Sequence, residues 1–157
     1  MQKIKMHYPK QNRVKTSELA REISKTVKKG DLFLLYGELG SGKTFFTNRL
    51  CKLLKVNNIV NSPSYVLLNE YIANENDKNM YKIFHYDLYR LSSTDEALEL
   101  GILDRLNEGV TIIEWPELIR DYLPETRTEI YFEHNKKYRD IIVEVTLWEL
   151  IELHLWK

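Results

Sequence analysis

The sequence predicts a three-layer α/β fold: a mixed sheet with parallel core strands and antiparallel hairpins, and helices on both faces. Three observations predict it. Leu32-Phe33-Leu34-Leu35-Tyr36 is apolar in both alternating sets, as a central strand covered on each side must be. It runs straight into a glycine-rich loop, and the loop into a segment of helical periodicity. A second strand of the same kind, Val110-Thr111-Ile112-Ile113-Glu114, follows a later helical stretch. No internal repeat, low-complexity tract or proline- and glycine-rich linker divides the 157 residues, so one domain over 1–157 is expected.

The elements follow in order. Ile4, Met6 and Tyr8 alternate with Lys3, Lys5 and His7, which predicts a half-buried first strand that stops at Pro9. Over residues 16–29, Leu19, Ala20, Ile23 and Val27 recur at helical spacing. Thr16 or Ser17 can cap the start, Lys28 and Lys29 suit the last turn, and Gly30 can close the helix. Beyond the glycine loop, Phe46, Leu50, Leu53 and Leu54 mark a helix of about three turns reaching Lys55. Residues 65–72 and 80–91 read as two strands of a hairpin with a polar tip over 73–79. Ser93 and Glu96 resemble a capping box opening a helical stretch that bends near Gly101 and ends at Gly109. After the second central strand the chain turns at Trp115-Pro116. Residues 128–132 and 138–146 form two more strands around a turn at 135–137. Residues 147–156 close the chain as a short amphipathic helix, expected to cover the molecule's own sheet rather than to dock a partner.

Composition narrows the function classes. The 23 basic and 23 acidic side chains cancel, so no global field draws nucleic acid, and a stand-alone RNA binder is disfavoured. The N-terminus lacks the continuous apolar stretch of a signal peptide, and the longest aliphatic or aromatic run is far below the roughly 20 residues of a membrane span. A soluble protein of the reducing cytoplasm is expected, with no membrane partner. Its one cysteine, Cys51, reads as a small buried hydrophobe.

The chemistry sits in Gly37-Glu38-Leu39-Gly40-Ser41-Gly42-Lys43-Thr44, which completes the pattern G-x-x-x-x-G-K-[ST]. Such a loop closes a nest of backbone N–H groups round phosphate oxygens, with the following helix aiming its positive end at the same charges. Lys43 supplies a cation for the β- and γ-phosphates, and the Thr44 hydroxyl is a hard oxygen ligand for Mg2+. Residues Glu38, Leu39, Gly40, Ser41, Gly42, Lys43, Thr44 and Phe45 are therefore the expected nucleotide contacts. A chance glycine turn is the alternative, and the strand and helix flanking the loop argue against it.

Glu114 ends an apolar strand, where a carboxylate can orient Mg2+ or its water; a strand-end Glu pointing into solvent is the alternative. His85 and Asp87 stand two apart on one face of a strand. Asp87 can bind Mg2+ or accept a proton, or else pair with Arg90 in a turn. His85 reads as a core residue. The base-reading motif of guanine-specific enzymes has no full match, because Asn135-Lys136-Lys137-Tyr138 lacks the acid, so ATP is the expected nucleotide.

With these segments in place, the chain resembles the TsaE family, formerly called YjeE, over nearly its whole length. The segments that carry the resemblance are the glycine loop with Phe45-Phe46, then Ser62-Pro63-Ser64-Tyr65, then His85-Tyr86-Asp87-Leu88-Tyr89-Arg90-Leu91, and Ile113-Glu114-Trp115-Pro116. The resemblance implies a P-loop ATPase that works with TsaB and TsaD in making threonylcarbamoyladenosine in tRNAs reading codons that begin with A. It implies that hydrolysis resets that complex rather than transferring the group, and that tRNA is met only through the complex. By position it makes Lys43, Asp87 and Glu114 the catalytic set and Thr44, Glu114 and Asp87 the metal set. Trp115 lies beside the nucleotide, and Ser62, Ser64 and Tyr65 form a switch in which the family more often has Thr at position 64. Two other readings remain open, a small nucleoside or metabolite kinase and a nucleotide-gated binding module without turnover.

Overall fold

The computed structural model describes residues 2–56, 67–74, 80–134 and 138–147. Its strands are β1 (Gln2–Gln11), β2 (Leu32–Tyr36), β3 (Leu68–Asn74), β4 (Met80–Asp87), β5 (Gly109–Glu114), β6 (Arg127–His134) and β7 (Arg139–Leu147). Between them lie α1 (Arg13–Ser24), α2 (Lys43–Leu53), α3 (Thr94–Glu99) and α4 (Ile102–Arg105). Two short 3₁₀ turns, Pro116–Leu118 and Arg120–Tyr122, follow β5. All the strands join one seven-stranded sheet in the order β1-β7-β6-β2-β5-β4-β3. β6, β2, β5 and β4 run parallel, and β1, β7 and β3 pair antiparallel at the two sides.

Strand alternation divides the interior. Phe33 and Leu35 of β2 face α1 and α2, where Leu19, Ala20, Ile23, Phe46 and Leu50 are buried. Leu32 and Leu34 face the other way, onto Ala97, Ile102 and Ile119 of α3, α4 and the 3₁₀ segment. This is the mixed sheet with helices on both faces that the apolar runs predict. Complete burial of a side chain such as Phe46 is worth about 1.5–3 kcal/mol, so the two layers supply much of the force that holds the helices on the sheet.

Several boundaries differ from the sequence reading, each for a local reason. β1 continues past Pro9 to Gln11, because it is an edge strand and Pro9 falls where one extra residue bulges between the Tyr8–Ile141 and Gln11–Arg139 pairings. Helix α1 starts at Arg13 under an Asn12 cap, whose side chain accepts from the Lys15 N–H at 2.9 Å, so Thr16 is buried inside the helix rather than capping it. It ends at Ser24, and Gly30 closes the turn before β2 by donating its N–H to the Gly109 carbonyl at 2.8 Å. Ser93 does cap α3, but Glu96 accepts from the Ser92 N–H, one residue beyond the Ser93 N–H of a reciprocal box. β4 stops at Asp87, not Leu91, and Leu147 is the last residue of β7 rather than the first of a helix. The remainder of the expected C-terminal helix, residues 65 and 66, the hairpin tip at 75–79 and the turn at 135–137 lie outside the described residues.

The face opposite α1 and α2 carries a polar network at the β2–β6 junction. Tyr36 donates to Glu129 at 3.0 Å and stacks on Tyr131 at 4.7 Å, while Arg120 and Arg127 reach the same carboxylate at 3.1 and 3.2 Å. Burial works to raise the Glu129 carboxyl, but hydrogen bonds from Arg120 and Tyr36 and the charge of Arg127 outweigh it and hold it below its ordinary value. A carboxyl lowered in the folded state adds stability above its unfolded pKa, about 4.3, and loses it as pH falls through the folded value. Glu129→Gln is therefore expected to cost about 1–3 kcal/mol at pH 7 in urea unfolding. That difference should shrink below about pH 4; a constant difference would contradict the network's ionic character.

Candidate functional site

The glycine loop joins β2 to α2 at the carboxyl end of the parallel strands. Gly37 leaves β2 so close to β6 that a Cβ there would lie 2.6 Å from the Phe132 carbonyl oxygen, a separation that excludes any side chain. Gly42 is the N-cap of α2 with φ 112°, a left-handed conformation that costs glycine nothing. Having no side chain, Gly42 leaves the first N–H groups of the eleven-residue helix directed into the space before the loop.

Lys43 is 4% exposed and turns back over the loop. Its ammonium donates to the Gly37 carbonyl and, at 3.0 Å, to that of Glu38, and it lies 4.0 Å above the Trp115 ring. Burial pushes the ammonium below its ordinary value, against the nearby charges of Glu114 and Asp87. Trp115 is held in a left-handed conformation, φ 58°, which is costly for a bulky residue. Its N–H donates to the Leu35 carbonyl at 3.2 Å, and Pro116 fixes the turn that follows. Tyr89 packs against its ring at 4.8 Å.

The parallel register completes the arrangement. β5 sits between β2 and β4, pairing Glu114 with Leu35 on one side and Asp87 on the other. The Thr44 hydroxyl donates to Glu114 Oε2 at 2.9 Å, and His85 Nε2 lies 2.8 Å from Oε1. Glu114 is 1% exposed, so the alternative of a solvated strand end does not apply. Asp87 accepts from the Tyr89 N–H at 3.1 Å, an interaction within its own turn, and burial raises its carboxyl above the ordinary range.

These groups surround a cleft of about 560 Å3, lined by Leu39 to Phe45, Asp87, Tyr89, Glu114 and Trp115. Glu38 contributes its carbonyl to Lys43 rather than a side chain to the cleft. Ser62, Ser64 and Tyr65 lie outside the described residues. Arg13, Arg90 and Arg139 also line the cleft, and no motif in the sequence marks Arg13 or Arg139 for it. Arg13 follows the Asn12 cap without belonging to any motif, and Arg139 reaches the loop through the β6–β7 pairing, a long-range contact no local pattern marks. Arg120 and Arg127 are engaged at Glu129 instead.

The donor set suits a small hard cation shared with phosphate. Thr44 and Glu114 offer two oxygens 2.9 Å apart at the helix terminus. Among the described residues no group of three or more His, Cys, Asp or Glu side chains forms an all-protein cage. Mg2+ is ordinarily held in this way, by one or two protein oxygens with phosphates and water completing the shell.

Comparison with known proteins follows the same line. Residues 10–141 match the family model described as threonylcarbamoyl adenosine biosynthesis protein TsaE. A protein of Rickettsia felis named tRNA threonylcarbamoyladenosine biosynthesis protein TsaE is 36% identical over 145 residues, covering 90% of this chain and 82% of that protein. The proteins of that name from Bacillus subtilis and Aquifex aeolicus are 36% and 38% identical, over 76% and 79% of this chain and 72% and 86% of their own lengths. The crystal structure of Bacillus subtilis YdiB superposes with a TM-score of 0.69 at 27% identity, covering 92% of this chain and 88% of that one.

Thr44→Val removes the hydroxyl while keeping the shape, and leaves Glu114 Oε2 without its donor. In the nucleotide-free protein this is expected to cost about 1–3 kcal/mol in chemical denaturation. Thr44→Ser should stay close to the parent protein, and a Val variant of parental stability would contradict the contact.

Proposed function

The chain belongs to the TsaE family of threonylcarbamoyladenosine biosynthesis proteins, and from that premise we propose that it is the Mg2+-dependent ATPase subunit acting with TsaB and TsaD. In this reading hydrolysis resets the complex between turnovers and the threonylcarbamoyl group is transferred elsewhere. The tRNAs concerned read codons that begin with A and are reached only through the complex, in the cytoplasm. The observation that carries the nucleotide chemistry is the Thr44–Glu114 contact at 2.9 Å, which brings a P-loop hydroxyl and a strand-end carboxylate to the same point.

Each residue then has a task. The loop N–H groups and the start of α2 bind the phosphates. Lys43 exchanges its two loop carbonyls for β- and γ-phosphate oxygens, a short movement because its ammonium already lies inside the loop. A bound Mg2+ neutralises charge developing on those oxygens. Thr44 and Glu114 would hold it. Glu114 and Asp87 orient the attacking water, and the raised Asp87 carboxyl is suited to take up its proton. Trp115 and Tyr89 form an apolar wall, while Arg13 and Arg139 add positive charge to the lining. Ser62, Ser64 and Tyr65 are proposed as the switch that senses the γ-phosphate.

Phosphate release is expected to be slow for the isolated chain and to rise steeply with TsaB, TsaD and tRNA together. A charge supplied in trans is worth about 10³–10⁵ in other P-loop systems. Asp87→Asn should lower that stimulated rate while leaving ATP affinity nearly unchanged. Phosphoryl transfer to an added nucleoside without partners would instead favour the kinase reading, and tight binding with no turnover in any mixture the gated module.

A further inference from the structure

His85 is buried without any accessible surface on the face of β4 that packs toward α1 and α2, beside Ile83 in the same alternating set. A second aliphatic side chain would fill that position at no desolvation cost, whereas an imidazole there must be compensated by a hydrogen bond. It has one such bond. Nε2 meets Glu114 Oε1 at 2.8 Å, while among the described residues Nδ1 has no hydrogen-bond partner, and the Tyr71 ring lies 6.3 Å away. Among the described residues the ring's one hydrogen bond is therefore to a carboxylate oxygen. Since a carboxylate accepts, Nε2 carries the proton.

The two oxygens of Glu114 are consequently held from opposite sides. His85 reaches Oε1 from the core, two positions before Asp87 on β4, and Thr44 reaches Oε2 from the cleft. A cation shared between Thr44 and a phosphate competes for the oxygen that Thr44 now engages, not for the one that His85 holds. We infer that His85 is a positioning residue for the metal-orienting carboxylate, fixing Oε1 so that Oε2 can pass from the Thr44 hydroxyl to the coordination shell of a bound Mg-nucleotide. This rests on the Mg-ATP reading of the cleft. His85 touches neither nucleotide nor metal and acts through Glu114, as partners behind metal ligands commonly do.

Binding of a fluorescent ATP analogue to the full chain, in Mg2+ and in EDTA, tests the role without relying on turnover. His85→Leu is expected to weaken binding about 10–100-fold in Mg2+ and by less than about twofold in EDTA. His85→Gln, whose amide nitrogen can replace Nε2 as donor, should bind nearly as the parent protein does in both. Equal loss in both media, or no loss in either, overturns the positioning role while leaving Mg-ATP binding intact. A parent protein indifferent to Mg2+ overturns both readings together. If His85→Leu does not fold, the imidazole nitrogen spectrum of the unaltered protein decides. A proton on Nε2, with a resonance that moves on adding Mg-ATP but not ATP in EDTA, supports the inference. A ring protonated only at Nδ1, or one unmoved by Mg-ATP, overturns it.

Discussion

A carboxylate removed from solvent, with both oxygens already engaged, is the constraint around which the cleft is arranged. Burying Glu114 costs several kcal/mol unless its charge is met, and the fold meets it three ways. Thr44 comes from the first turn of α2, His85 from β4, and the Lys43 ammonium adds its charge from the first residue of the same helix. Two of these come from the start of α2 and one from β4, while Glu114 itself ends β5, so the site exists only when β2, β4 and β5 are in register and α2 follows the loop. A slip of one residue in the β4–β5 pairing would turn His85 and Asp87 to the other face of the sheet.

The rest of the sheet serves to hold that register. The β2 strand carries the loop at its carboxyl end and is packed on both faces, so the point at which Gly37 leaves the sheet is fixed by two hydrophobic layers. Tyr36, immediately before the loop, is fixed again by its bond to Glu129 and its stack on Tyr131. The antiparallel β6–β7 pair extends the same anchoring outward and brings Arg139 to the loop from the far end of the sequence. Trp115, where the chain turns into the cleft, is held at a positive φ, as are Lys10 at the β1 bulge and Lys55 beyond α2.

What could be read from the sequence follows the range of the forces involved. The apolar runs at β2 and β5 and the helical spacing of Phe46 and Leu50 identify buried elements because burial is written directly into local composition. The P-loop is legible because its geometry needs particular residues at particular spacing. Asn12 escaped notice as a cap because the first turn of α1, with Val14 65% exposed, has no apolar pattern to mark it. Pro9 reads as a stop, and only its place on an edge strand makes it tolerable. His85 was classed with the core, which its burial supports, but its contact with Glu114 depends on the β4–β5 register and no spacing within one strand reveals it. Arg13 and Arg139 were obscure for the same reason: they reach the cleft through tertiary contacts.

The central claim is that this cleft binds Mg-ATP with Lys43 as the cation facing the phosphates. Calorimetric titration of Mg-ATP into the parent protein and into Lys43→Ala tests it most directly. The account predicts saturable binding by the parent protein and a loss of about 10²-fold in the variant, about 2.7 kcal/mol. Equal affinity in the two proteins, with both folded, would contradict it.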